Sequence, residues 1–220
     1  LPVEEMFAGV KQKNPDVLVH CDCVQGFGKI LFSLNRIKAD MVTMSSHKIH
    51  GPKGCGAIYV REGVNLRPLC FGGSQESRVR PGTENVPGIA AFGHASLKAL
   101  RDIRENWEHV KELNLYLRDC LRQMEDVVIN SPSGAVPYVL NISVLPFATE
   151  DLLHEMRMRG IYLSGSSACE KGARSHVIRA MGIEGPRADS VVRIGLGKKN
   201  TREEVTVLVE TLNELIKRGK

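Results

Sequence analysis

Aromatic residues are scarce in this chain, at 5%, and tryptophan occurs once. A nucleic-acid surface that interleaves basic side chains with stacking aromatics is therefore not expected, although 30 Lys and Arg face 25 Asp and Glu and leave a net charge of +5. The basic residues are spread along the chain. No apolar run approaches the roughly 20 residues that a membrane-spanning helix needs, and no charged-then-apolar leader opens the sequence. A soluble chain with no membrane partner is expected. Repeats and low-complexity tracts are missing too, which leaves collagen-like and coiled-coil architectures without support. The six cysteines (Cys21, Cys23, Cys55, Cys70, Cys120 and Cys169) lack the density of a disulfide framework and read as thiols of a reducing, cytoplasmic compartment. The chain begins with Leu1 instead of Met, as a processed chain or a piece of a longer polypeptide does.

What remains is a globular composition: 220 residues, 42% hydrophobic and 25% charged, enough for one large domain or two small ones. Val17 to Cys21, Met41 to Met44 and Ala57 to Val60 are apolar runs of strand length, the pattern of strands buried on both faces in an α/β sheet. A Gly/Pro-rich polar loop follows between Phe71 and Pro87, and a loop this long is usually functional. From Gly88 to Met124 the apolar residues recur every three or four positions, which predicts one long helix. Beyond it the pattern is α+β, with strands expected at 127–129, 138–144, 161–163 and 191–196. Thr149 is expected to cap a helix that stops at Gly160, and Thr201 with Glu204 to form a capping box for the last helix. The domain boundary is placed near residue 95, giving domains 1–95 and 96–220.

Three segments carry chemistry. Ser45-Ser46-His47-Lys48 follows a strand and precedes Gly51-Pro52-Lys53-Gly54, so Lys48 reads either as a solvated loop lysine or as an amine nucleophile tuned by its neighbours. In His20-Cys21-Asp22-Cys23-Val24-Gln25, strand alternation puts His20 and Asp22 on one face and the two thiols on the other, which splits any zinc ligand set. No metal site is expected. Asp22 reads as a turn residue or as an acid that holds a protonated heterocycle nitrogen. In the third segment Cys169 sits among small and polar residues with Lys171 and Arg174 nearby, a setting that favours a thiolate.

Together these segments resemble the class V aminotransferase superfamily and, within it, the cysteine desulfurases of the NifS/IscS kind. The matching pieces run in family order: Asp22-Cys23-Val24-Gln25, Ser45 to Lys48, Gly51 to Gly54, Arg80-Pro81-Gly82-Thr83-Glu84-Asn85-Val86-Pro87-Gly88, Ser167-Ala168-Cys169, and Val192 to Gly197. The resemblance implies an α/β fold, part of the large cofactor domain of a fold-type I enzyme followed by a smaller α+β C-terminal domain. It implies pyridoxal phosphate as cofactor and L-cysteine as substrate. Lys48 would anchor the cofactor, Asp22 hold its pyridine nitrogen, Gln25 bond its ring hydroxyl, and Ser45 and His47 bind its phosphate. Thr83 would reach the partner's cofactor in a homodimer, Arg193 would clamp the substrate carboxylate, and Cys169 would take the sulfur and pass it to an acceptor protein of iron-sulfur assembly or tRNA thiolation. Within the superfamily a selenocysteine lyase or an aminotransferase is the alternative, and outside it a non-catalytic dimerisation module. One serine more than usual precedes Cys169. The family's first phosphate-binding turn, ring-stacking histidine and substrate-binding asparagine are expected upstream of Leu1, so the chain reads as the C-terminal portion of the enzyme.

Overall fold

A computed structural model describes residues 2–165 and 176–218. The fold is mixed α/β and divides into two compact units, Leu1–Arg104 and Glu105–Lys220.

The first unit begins with α1 (Val3–Lys13), β1 (His20–Asp22) and the single-turn α2 (Leu34–Ile37). β2 (Met41–Ser45), a 3₁₀ turn (Ser46–Ile49), β3 (Gly56–Val60) and α3 (Val86–Arg101) follow. β1 pairs parallel to β2, with Asp22 opposite Thr43, and β3 returns antiparallel to β2, with Gly56 opposite Ser45. The expected burial on both faces is not what forms. Cys23, Ile37, Ala39 and Val42, backed by Phe7 and Leu34, cover one face. On the other, Ile58 is 47% exposed and lines an open cleft with Thr43 and Val60. Apolar composition alone does not distinguish a covered strand face from one that borders a cleft.

Asp40, 0% exposed, locks this unit together. Its Oδ2 accepts the Val19 N–H at 2.7 Å and pairs with Lys11 of α1 at 2.7 Å, while Oδ1 takes Arg61 Nε at 2.7 Å just past β3. Burial pushes this carboxyl up, but the bonds from Lys11, the Val19 amide and Arg61 outweigh it and hold it at about 2. A folded value below the ordinary 3.8 stabilises the fold at neutral pH, and that contribution is lost as pH falls below 4 and through 2. Asp40→Ala, which leaves the buried end of Lys11 without its carboxylate, is expected to cost about 3 kcal/mol. Urea midpoints across pH 2 to 6 check the assignment, because Asp40→Asn should flatten the acid limb. A limb as steep as the parent's would clear Asp40.

The single helix predicted from 88 to 124 is two helices, α3 and α4 (Ile103–Leu121), because Asp102 leaves helical geometry between them. One irregular residue shifts the apolar stripe too little to show in its spacing. Asn85 caps α3, its Oδ1 accepting the Gly88 N–H at 3.1 Å.

The second unit continues from α4 with β4 (Val127–Ile129), β5 (Val139–Val144), α5 (Thr149–Met158) and α6 (His176–Ala180). α7 (Gly185–Asp189), β6 (Val191–Gly195) and α8 (Arg202–Arg218) complete it. The sheet order is β4-β5-β6, antiparallel throughout. Leu140, Ile142, Val144, Val192 and Ile194 pack on α4 through Val110, Leu117 and Leu121, and on α8 through Val205, Leu208 and Leu212. The capping box forms: the Thr201 N–H reaches Glu204 Oε2 at 3.2 Å and the Glu204 N–H reaches Thr201 Oγ1 at 3.3 Å. Thr149 does not cap α5. Its hydroxyl instead shares its donation between the Asp189 and Val191 carbonyls, both at 2.9 Å. Nor do residues 161–163 form a strand; this segment meets β6 only at the isolated bridge between Ser164 and Arg193.

Candidate functional site

Two parallel strands that end at the same sheet edge place the first group of side chains. β1 finishes on Asp22, whose Oδ1 accepts the Val24 N–H at 2.9 Å and so starts the turn that carries Gln25. β2 finishes on Ser45, and the chain bends at once into the 3₁₀ turn that holds His47 and Lys48. Ser45 Oγ and His47 Nδ1 lie 2.6 Å apart. Carboxyl ends of neighbouring parallel strands are where α/β sheets place ligands. Asp22, Gln25, Ser45, His47 and Lys48 thus converge on one edge, and no hydrogen bond or ion pair among the described residues holds the Lys48 ammonium.

Lys29, which the sequence reading passed over, belongs beside this group. It donates to Gln25 Oε1 at 3.5 Å. Burial lowers its amine and the Lys48 charge lowers it further, so the two lysines sit within electrostatic reach. Its neighbour Gly28 fixes that geometry. At φ +69°, a Cβ there would meet Ile49 Cγ2 at 2.7 Å, directly behind the Lys48 turn. No pattern in sequence announces this, because the approach is made by the fold of residues 24–29.

Ser46 is the imperfect member of the turn. Its hydroxyl is buried, pressed against Gly51, and has no hydrogen-bond partner among the described residues. A buried hydroxyl left unpaired costs roughly 1–3 kcal/mol, so Ser46→Ala is expected to raise stability by about 1 kcal/mol. A denaturant midpoint below the parent's would show that the hydroxyl has a partner in solution.

Thr83 comes from the irregular segment before α3. It lines the open cleft of about 1180 Å³ with Cys55, Ile58, Arg80 and Phe92, a cleft that none of Asp22, Gln25, Ser45, His47 or Lys48 lines. Cys21 and Cys23 turn to the opposite face of β1 from Asp22, and among the described residues no three His, Cys, Asp or Glu side chains gather as a metal site.

In the second unit Arg193 lies on β6 opposite Asn141 of β5, which puts it on the polar face of the sheet, away from Leu140 and Ile142. Its backbone is fixed at both ends: the Arg193 N–H donates to Ser164 O at 2.6 Å and the Ser164 N–H to Arg193 O at 3.2 Å. Next to Ser164, a Cβ on Gly165 would stand 2.6 Å from the Thr149 methyl, so only glycine fits that close approach. Cys169 lies outside the described residues.

The sequence profile of the class V aminotransferase family matches residues 1–208. The chain belongs to this family. Within it, the chain is 33% identical over 220 residues to cysteine desulfurase IscS of Methanosarcina thermophila, a match that covers 99% of this chain and 54% of that protein. Among solved structures, a NifS-like protein superposes with a TM-score of 0.89 at 37% identity, over 98% of this chain and 57% of the other. SspA in complex with cysteine superposes with a TM-score of 0.70 at 27% identity, over 91% of this chain and 55% of that one. The chain therefore spans about half the length of the curated relatives it matches. The segment from Asp22 to Lys48 carries a carboxylate, a hydroxyl–imidazole pair and an amine at the carboxyl ends of two parallel strands.

Proposed function

We propose that the complete polypeptide is a pyridoxal-phosphate-dependent cysteine desulfurase that converts L-cysteine to L-alanine and moves the sulfur onto Cys169. The observation that carries this reading is the convergence of Asp22, the Ser45–His47 pair and Lys48 on one edge of two parallel strands. The names of the similar proteins, and the cysteine bound by one of the superposing structures, support the substrate.

When bound, pyridoxal phosphate supplies an electron sink for the carbanion formed at the substrate Cα. The chain supplies the rest. Lys48 would hold the cofactor and would move the substrate Cα proton. The Asp22 carboxylate keeps the pyridine nitrogen protonated, and Gln25 hydrogen-bonds the ring hydroxyl. Ser45 and His47 grip the phosphate, with Thr83 serving the cofactor of the partner subunit in a homodimer. Arg193 binds the substrate carboxylate through its fork of donors. Cys169 thiolate attacks the substrate sulfur; the S–C bond breaks, its electron pair passes to the substrate carbon, and Cys169 keeps a persulfide. An acceptor protein of iron-sulfur assembly or tRNA thiolation then takes that sulfur, in the cytoplasm. Residues 1–95 serve as the closing part of the large cofactor domain and 96–220 as the smaller domain that carries Cys169.

The test uses the longer polypeptide, loaded with pyridoxal phosphate and given L-cysteine with a thiol reductant. Sulfide and alanine are expected in equal amounts. Amino-group transfer to a keto acid without sulfide release would move the protein to the aminotransferases.

A further inference from the structure

Cys21 and Cys23 are used by nothing in the proposed reaction. Both thiols are free, both pack toward the cluster of Ile37, Ala39 and Val42, and their sulfurs lie 3.4 Å apart across the back of Asp22. A disulfide needs the sulfurs at about 2.05 Å and the Cα atoms within about 4.4–6.8 Å. An extended strand advances about 3.3 Å per residue, which sets Cα atoms two residues apart at about 6.6 Å, just inside that range.

We propose that Cys21 and Cys23 are a reversible oxidation site, closing to an intramolecular disulfide with a low-molecular-weight disulfide as oxidant. Cys21 is the less buried of the two and reacts first. Its thiolate attacks one sulfur of the small disulfide, which breaks the S–S bond and releases one small thiolate. Cys23 then gives its proton to solvent and attacks the Cys21 sulfur, releasing the second small thiolate. Two protein thiols are oxidised, one small disulfide is reduced, and the two protons end on the two released thiols. Burial, with Cys21 and Asp22 adding to it, pushes the Cys23 thiol up to about 12. The closing step therefore quickens as pH rises, and it is the slow one. Closure draws the two flanking Cα atoms together and turns Asp22 between them, against its bond to the Val24 amide. Near the limit of disulfide geometry the link is strained and easily reduced, the behaviour of a labile, regulatory bond in a reducing compartment.

The test is made on the purified, reduced protein, incubated with oxidised glutathione at pH 8, quenched in acid, alkylated and digested with trypsin. The peptide from Asn14 to Lys29 carries both cysteines. It is expected to lose about 2 Da, to take up no alkyl group, and to regain two alkylatable thiols after dithiothreitol. Cys23→Ser should instead trap glutathione on Cys21. Two freely alkylated thiols in the oxidised parent, or either thiol linked to a different cysteine, would overturn the proposal, as would a Cys23→Ser protein that takes up no glutathione. None of these readouts depends on cofactor or turnover, so they stand or fall separately from the proposed function.

Discussion

Cys169→Ala in the full-length enzyme is expected to lower sulfide release from L-cysteine by at least about 10⁴-fold, the scale on which loss of a covalent nucleophile acts. Cofactor uptake should stay at the parent's level. The two effects separate because Cys169 is assigned to the substrate sulfur and to nothing on the ring. Removing the thiol leaves Asp22, Ser45, His47 and Lys48 as they were, so substrate still enters and its Cα proton still exchanges with solvent deuterium. The measurement is therefore double: sulfide by colour formation and Cα exchange by mass. Sulfide production near the parent rate would remove Cys169 from the mechanism. A joint loss of both readouts would assign the residue a structural role.

Lys48→Ala carries the other large effect. Turnover is expected to fall by about 10³-fold or more, because the proposed reaction has one amine both hold the cofactor and move the Cα proton. Borohydride reduction of the loaded enzyme should fix the cofactor to the peptide that contains Lys48 and should fix none in the variant. Lys48→Arg is not expected to rescue, since a guanidinium keeps its proton at any workable pH. The nearness of Lys29 makes this more than a formality, as two lysines lie within reach of each other's charge. A label found on Lys29 in the parent enzyme would transfer the anchoring role to it, and the assignments to Ser45 and His47 would have to be redrawn around the turn at 24–29.

Local signals were readable and non-local ones were not. The Thr201–Glu204 capping box forms as its spacing implies, because both partners lie within one helical turn. α5 stops where Gly160 follows it, with the Ile161 N–H reaching back to Met156 O at 2.9 Å. Thr149 has the right residue type for a cap, yet carbonyls 40 and 42 residues away compete for its hydroxyl and win. That Asp22 closes one parallel strand and Lys48 follows the next was legible, because each ends or follows an apolar run. Lys29 was not, since a lysine after Gly28 looks like any other until the turn folds back on Ile49. Asp40 was equally silent: its partners Lys11, Val19 and Arg61 come from three separate stretches of chain, and no periodicity links them.

The paired hydrogen bonds between Ser164 and Arg193 are made by backbone alone. Whatever side chain occupies position 193, the strand still grips the segment leading toward residue 169. Position 193 can thus change its side chain without losing that backbone pairing, whereas a single methyl added at Gly165 would press on the Thr149 methyl beside it. Of the two positions, 193 is open to variation and 165 is closed to it.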